Sequence, residues 1–370
     1  MKNIKFSISN ITNNDIELVS KILKSGWLTH GKYTSLFEQE FCKFTGSKYA
    51  VSVSSCTAGL HLSCLASNFK KGDEIIVPAQ THTATAHSVE YTGAKAVLAD
   101  VDFITGNLKL DELKKKITKK TKGVIIVHMA GYPCDVKEIK KFCLRKGITL
   151  LEDCAHGLGT YKDNTHVGNF GKSGCFSFYP TKQITTGEGG MLITNDLQFY
   201  KKVKLLKAFG IDKDIKDRKM PGDYDVKFLG YNYRMTDFQS ALGYRQLLNY
   251  KKNLNRRHLI AKRYIKNLSN VNGLYFMPYS KDCSFFVFQI FSKKRDKIIK
   301  IFKELNIGFS IHYPNSLPKM SYYKKNNKLN LKSYKNSIDY GNMNISLPMY
   351  PKLKNIEIDF ICKSILKALN

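Results

Sequence analysis

The sequence predicts an α/β fold: a large unit with a mostly parallel seven-stranded sheet flanked by helices, then a smaller α+β unit at the C-terminal end. Three observations carry this. Short apolar runs alternate with amphipathic stretches through the first 250 residues. Several runs, VIIV and ITLL among them, are apolar without alternation, as strands covered on both faces are. Near residue 250 the rhythm changes to a long basic amphipathic stretch, so domains at 1–250 and 251–370 are expected.

The elements follow in order. YAVSVSS (49–55) reads as a strand feeding a helix over TAGLHLSCLAS (57–67). DEIIVPA (73–79) is the second strand, followed by a helical run through AHSVEYTG. KAVLADVD (95–102), VIIVHMAG (124–131) and ITLLEDCA (148–155) are three more, with KEIKKFCLRKG as the helix before the last. GCFSFY (174–179) and GGMLITN (189–195) complete the set, separated only by a loop. Residues 238–268 read as one long amphipathic helix joining the two units. Beyond it come FFVFQIF (285–291), a helix at 294–306, NIGFSIHYP (306–314) and a last helix at 354–369. The lysine- and asparagine-rich segment 319–336 reads as an exposed loop or ragged helix.

Composition narrows the function classes. A hydrophobic content of 43% suits a globular chain with a sizeable core. No run of about 18 apolar residues occurs, so no membrane span is expected. The first residues lack the apolar core of a secretory signal, and the cytoplasm is the expected compartment. Nine cysteines without a CxxC pair point to free buried thiols rather than disulfides or a metal site. The formal charge of +30 raises nucleic acid as a partner. However, the excess is spread over helix-like surfaces with no binding motif behind it, so solvated helix faces and an attraction for phosphorylated small molecules are the expectation.

In a doubly wound sheet, ligands sit outside the carboxyl ends of the strands. At SSCTAGL a strand gives way to a helix whose first N–H groups favour an anion. At LLEDCAHG, Asp153 closes an apolar strand, where a carboxylate must be solvated or paired with a cation. At SFYPTKQITTGEGG, Lys182 follows a strand and Pro180, with glycines permitting close approach or positive φ. A partly desolvated lysine there would have a lowered pKa and could form a Schiff base with an aldehyde. Anion cradle, carboxylate and lysine together are what pyridoxal phosphate requires.

The chain resembles the DegT/StrS-like sugar aminotransferases of the fold type I pyridoxal phosphate class. The likeness runs from SGWLTHG to SLPMYP, through GDEIIVPAQTHTATAHSVEYTGAKAVLADVD, EDCAHGLG, SFYPTKQITTGEGGML and GYNYRMTDFQSALGYRQL. It implies Lys182 as the Schiff-base lysine and proton shuttle, and Asp153 as partner of the pyridine nitrogen. Thr57, the Cys56 and Thr57 amides and Ser177 match phosphate-binding positions. Asn232 matches an asparagine reaching the partner subunit's cofactor, which implies a homodimer with shared active sites. Cys56 replaces a usual glycine, which would be strained if the loop required positive φ. His82 stands where an aromatic ring stacks on the cofactor, although a capping role is the simpler alternative. His156 replaces a common glutamine near the cofactor's phenolic oxygen. Trp27, Thr29, Tyr179, Arg234, His312 and Tyr313 are the implied substrate contacts, and Glu188 is expected in a loop or interface. The implied reaction moves an amino group, through pyridoxamine phosphate, from L-glutamate to a nucleotide-linked keto-deoxysugar, with a 4-keto-6-deoxy sugar expected. The products would feed surface glycans or a glycosylated metabolite. A sugar 3-dehydratase of the same fold is the alternative, but that branch carries histidine in place of the lysine.

Overall fold

The computed structural model describes residues 3–213, 219–327 and 329–369. Helices α1 (Asn13–Ser25) and α2 (Lys32–Thr45) lead into β1 (Tyr49–Val53) and α3 (Cys56–Ala66). Then β2 (Glu74–Pro78), α4 (Thr83–Glu90), β3 (Lys95–Ala99), α5 (Leu110–Lys114), β4 (Thr121–Val127), α6 (Val136–Lys146) and β5 (Thr149–Asp153) alternate strand and helix. A short hairpin, β6 (Tyr161–Lys162) and β7 (Thr165–His166), precedes β8 (Ser173–Ser177), β9 (Gly190–Thr194) and α7 (Leu197–Leu206).

All seven expected strands form one sheet, in the order β1-β9-β8-β5-β4-β2-β3. Only β9 runs antiparallel to its neighbours. Val124, Ile125, Ile126 and Leu151 are fully buried at their strand centres, which is why these segments lack polar alternation. Each such side chain contributes about 1.5–3 kcal/mol by leaving water. The register sets Val127 beside Asp153, Asp153 beside Cys175, and Gly190 beside both Ser177 and Val53. The ends of β1, β5 and β8 therefore meet at one edge of the sheet.

Helices α8 (Asp237–Leu248) and α9 (Tyr250–Leu268) correct the expectation of one long helix. The ladder breaks at Asn249, which takes φ −98° and ψ 0°. Beyond the break Tyr250 is fully buried, and its hydroxyl donates to the Leu158 carbonyl at 2.7 Å, which fixes where α9 starts. The C-terminal part continues with β10 (Tyr275–Phe276), β11 (Phe288–Phe291), α10 (Arg295–Glu304), α11 (Ser321–Asn327), α12 (Lys335–Met343), β12 (Asn344–Leu347) and α13 (Asn355–Leu369). The strands β10-β11-β12 form an antiparallel sheet, and Tyr264, Phe288, Phe302 and Ile361 pack around it.

Two further readings change. FFVFQIF is strand only from Phe288, because Phe285 takes φ +47° and turns the chain towards the large sheet. Segment 306–314 forms no named strand, only bridges from Ile307 to Ile4 and from Ser310 to Ser346. In 319–336, of which residue 328 lies outside the described residues, Tyr323 and Tyr334 are buried against the core over the large sheet. Among the described residues, no helix is long and apolar enough to cross a membrane.

Candidate active site

The start of α3 forms the first wall. Ser55 is its N-cap, with Oγ accepting from the Ala58 N–H at 3.1 Å. The first N–H groups of the helix have no partner within it and face outward along the axis. Cys56 opens α3 and is absent from the positive-φ residues, so the expected strain from replacing a glycine does not arise. The close-approach glycine is Gly190 instead: a Cβ there would come within 2.6 Å of the Cys56 nitrogen and 2.8 Å of the Phe176 carbonyl oxygen. A cavity of about 470 Å³ beside this helix end is lined by Ser55, Thr57, His61, Tyr91, Tyr231 and Tyr233, among others. Neither Asp153 nor Lys182 lines it.

Asp153 forms the floor and is 4% exposed. Its Oδ2 accepts from the Thr85 hydroxyl at 2.8 Å and its Oδ1 from the Ala155 N–H at 3.0 Å. The Cys56 thiol lies 4.0 Å from Oδ1. Among the described residues the carboxylate has no ion-pair partner, which leaves a buried charge calling for a cation. The Thr85 contact was not foreseen. Thr81 and Thr85, four apart in QTHTATA, hydrogen-bond each other at 2.7 Å, and that spacing was the available signal.

Lys182 closes the site. Its backbone N–H donates to the Tyr179 carbonyl at 2.9 Å, the turn that Pro180 imposes after β8. The side chain is partly buried, with its ammonium 4.4 Å above the Phe286 ring. Burial pushes the Lys182 pKa down to about 8, and the Cys56 thiol and Asp153 oppose this only in part.

Around it stand His156, His312, Tyr313 and His82. His156 is buried and accepts from the Ala130 N–H at Nδ1 (3.3 Å), so Nε2 carries the proton towards the Tyr313 hydroxyl at 3.4 Å. Burial, then Lys182, hold its pKa well below the usual imidazole range, so it stays neutral. The same causes push His312 down to about 3, and its Nδ1 lies 2.8 Å from Ser346 Oγ. Burial raises the Tyr313 phenol, and its ring meets His82 edge-on at 5.6 Å. His82 is exposed and caps α4, Nδ1 accepting from the Ala84 N–H at 3.2 Å.

The remaining expected residues lie outside this cluster. Ser177 Oγ accepts from the Tyr179 N–H at 3.4 Å, and Tyr179 is 47% exposed. Asn232 is exposed and accepts from Arg234 Nε at 3.1 Å, while the Arg234 guanidinium lies over Phe209. Trp27, 51% exposed, donates to the His30 carbonyl at 3.1 Å, and Thr29 Oγ1 lies 3.2 Å from His30 Nδ1. Among the described residues neither makes a hydrogen bond or ring contact with the Lys182 group. All nine cysteines are free, eight of them buried. His128, Glu152 and Cys154 bring ligand-type atoms within 4.8 Å of one another. Glu152 is already held by His128 Nε2 at 3.0 Å and by the N–H groups of Gly168, Phe170 and Gly171.

Residues 9–366 match the sequence profile of the DegT/DnrJ/EryC1/StrS aminotransferase family. The chain belongs to this family. It is 35% identical to the spore coat polysaccharide biosynthesis protein SpsC of Bacillus subtilis, over 98% of this chain and 96% of that protein. It is 32% identical to GDP-perosamine synthase of Escherichia coli O157:H7, over 99% and 98% respectively. Among solved structures, the PMP form of Streptococcus pneumoniae Spr1654 superposes with a TM-score of 0.93 at 28% identity, covering 99% of each chain, and a PLP form of the same protein is also known. The protein is thus a pyridoxal phosphate-dependent sugar aminotransferase. Its residues fit that cofactor: Asp153, without an ion-pair partner among the described residues, suits a protonated ring nitrogen, the open end of α3 a phosphate, and Lys182 an aldehyde.

Proposed function

We propose that this aminotransferase moves an amino group from L-glutamate to the keto carbon of a nucleotide-linked deoxysugar of the 4-keto-6-deoxy type. The observation that carries the reading is the meeting of the α3 N-terminus, Asp153 and Lys182 at one sheet edge, with Lys182 pushed down to about 8. When bound, pyridoxal phosphate supplies an aldehyde that exchanges amines and a ring that accepts electrons. The chain's own parts do the rest. Asp153 holds a proton on the ring nitrogen, and the Thr85 hydroxyl keeps that carboxylate in place. Cys56 and Thr57 offer N–H groups, and Ser177 a hydroxyl, to the phosphate. Lys182 would hold the aldehyde and, once free, would carry protons at Nζ, for which a pKa near working pH is suited. His82, its imidazole fixed by the capping bond, would stack on the cofactor ring. His156 would face the phenolic oxygen. Tyr179, His312, Tyr313, Arg234, Trp27 and Thr29 form the sugar side.

A nucleotide diphosphate suits both the formal charge of +30 and the GDP-sugar named for one relative. The 4-keto-6-deoxy choice follows the commonest substrate type of the family. A panel of UDP-, dTDP- and GDP-linked keto-sugars incubated with glutamate tests this, scored by 2-oxoglutarate release and the position of the new amine. Turnover of a 4-keto-6-deoxy member is expected; turnover only of sugars lacking that pattern would overturn the assignment.

The reading includes a homodimer with shared sites and a cytoplasmic location. Met220, Tyr224, Val226, Phe228 and Leu229 are all exposed, Leu229 at 87%, just before Asn232. Such an apolar arm is suited to a second copy, which would let Asn232 reach the partner's phosphate. Light scattering at low micromolar concentration is expected to give twice 42.2 kDa. A monomer mass that still supports full turnover would remove the shared-site part.

A further inference from the structure

Phe286 lies outside every motif, yet its ring sits at the centre of the site. It is 2% exposed, stacks on His156 at 4.3 Å with planes 18° apart, and carries the Lys182 ammonium over its face at 4.4 Å. It stands just before β11, and so comes from the C-terminal part of the chain to meet a lysine on the large sheet.

Three sets of bonds hold it there. The Phe286 N–H donates to the Ala130 carbonyl at 3.1 Å, and the Ser284 N–H to Gly131 at 3.0 Å. Arg257 of α9, buried and without an acidic partner among the described residues, donates from one Nη1 to the carbonyls of Phe285 (3.0 Å), Phe286 (3.1 Å) and Met349 (2.9 Å). Gln183, the residue after Lys182, donates to the His156 carbonyl at 2.8 Å and to Ser284 Oγ at 3.2 Å. The lysine loop, the histidine and the phenylalanine turn are therefore tied into one unit.

We propose that Phe286 is a positioning residue for Lys182: its ring closes one face of the amine against water and keeps the lysine ready to attack an aldehyde, while Arg257 holds the ring in place. This rests on the assignment of Lys182 above. Two effects of the ring compete, since its π face favours the ammonium and its apolar bulk disfavours it. With the ring 4.4 Å from the ammonium, desolvation is expected to outweigh the π attraction, in line with the downward direction that burial gives the Lys182 pKa. The other groups facing Lys182 do not account for it. Asp153 and the Cys56 thiol push upward. His156, His312 and the Tyr313 phenol are held neutral by burial, and partial desolvation lowers the His82 pKa as well.

The test is the pH profile of Lys182 acylation in the full-length chain freed of cofactor, read by mass spectrometry of its peptide, with a surface lysine peptide as internal reference. The wild-type midpoint is expected near 8. Phe286→Gln, which replaces the ring with a polar amide, should raise it by about one pH unit, and Phe286→Leu, which keeps an apolar side chain, should leave it in place. A Gln midpoint equal to wild type, or a Leu midpoint that rises as far as the Gln one, overturns the proposal. Failure of the Lys182 assignment looks different: there the cofactor would attach elsewhere whatever stands at position 286.

Discussion

Lys182→Ala protein is expected to lose amino transfer by on the order of 10⁴-fold while keeping its fold. Alanine removes the amine proposed to hold the aldehyde and to carry the proton, and both proposed roles need the same atom. Among the described residues no other lysine stands over the Phe286 face, and the position depends on the Pro180 turn. The fold should survive, since Lys182 makes no ion pair among the described residues and its buried ammonium is itself unfavourable. Turnover assays with circular dichroism as a control check both halves. The same depressed pKa sets a pH dependence. The amine must be unprotonated to attack, so cofactor capture by wild-type protein should rise with pH through a midpoint near 8 and then level off.

Asp153→Asn should lower kcat by about 10²- to 10⁴-fold, the equivalent of breaking a buried charge pair worth about 3–5 kcal/mol. Asparagine keeps the shape and can still accept one of the bonds from Thr85 and Ala155, so the floor stays in place. What it lacks is the charge that keeps a ring nitrogen protonated. Steady-state kinetics should therefore show a fall in kcat with a small change in KM. A variant with near wild-type kcat would remove Asp153 from this role.

The sheet was legible because its strands are short apolar runs, VIIV and ITLL without alternation, set between amphipathic stretches. SSCTAGL, LLEDCAHG and SFYPTKQITTGEGG each showed a strand giving way to a polar or charged group, and the register brings those ends to one edge. The break at Asn249 was not legible, since neither glycine nor proline marks it and its cause is the distant contact of Tyr250 with Leu158. Phe286 and Arg257 were hidden for the same reason. An aromatic in an apolar run and an arginine on a basic helix look ordinary until packing brings them under Lys182. Thr85 was half visible, as one of two threonines at helical spacing beside His82. For His82 the sequence left capping and stacking both open, and the capping bond is present.

The central claim is that one lysine among the 60 basic residues does the chemistry. Borohydride reduction of the protein loaded with pyridoxal phosphate, followed by peptide mapping, tests it most directly. The expected result is a single pyridoxyl label on Lys182. Labels scattered over surface lysines, or one fixed label at another position, would contradict the account.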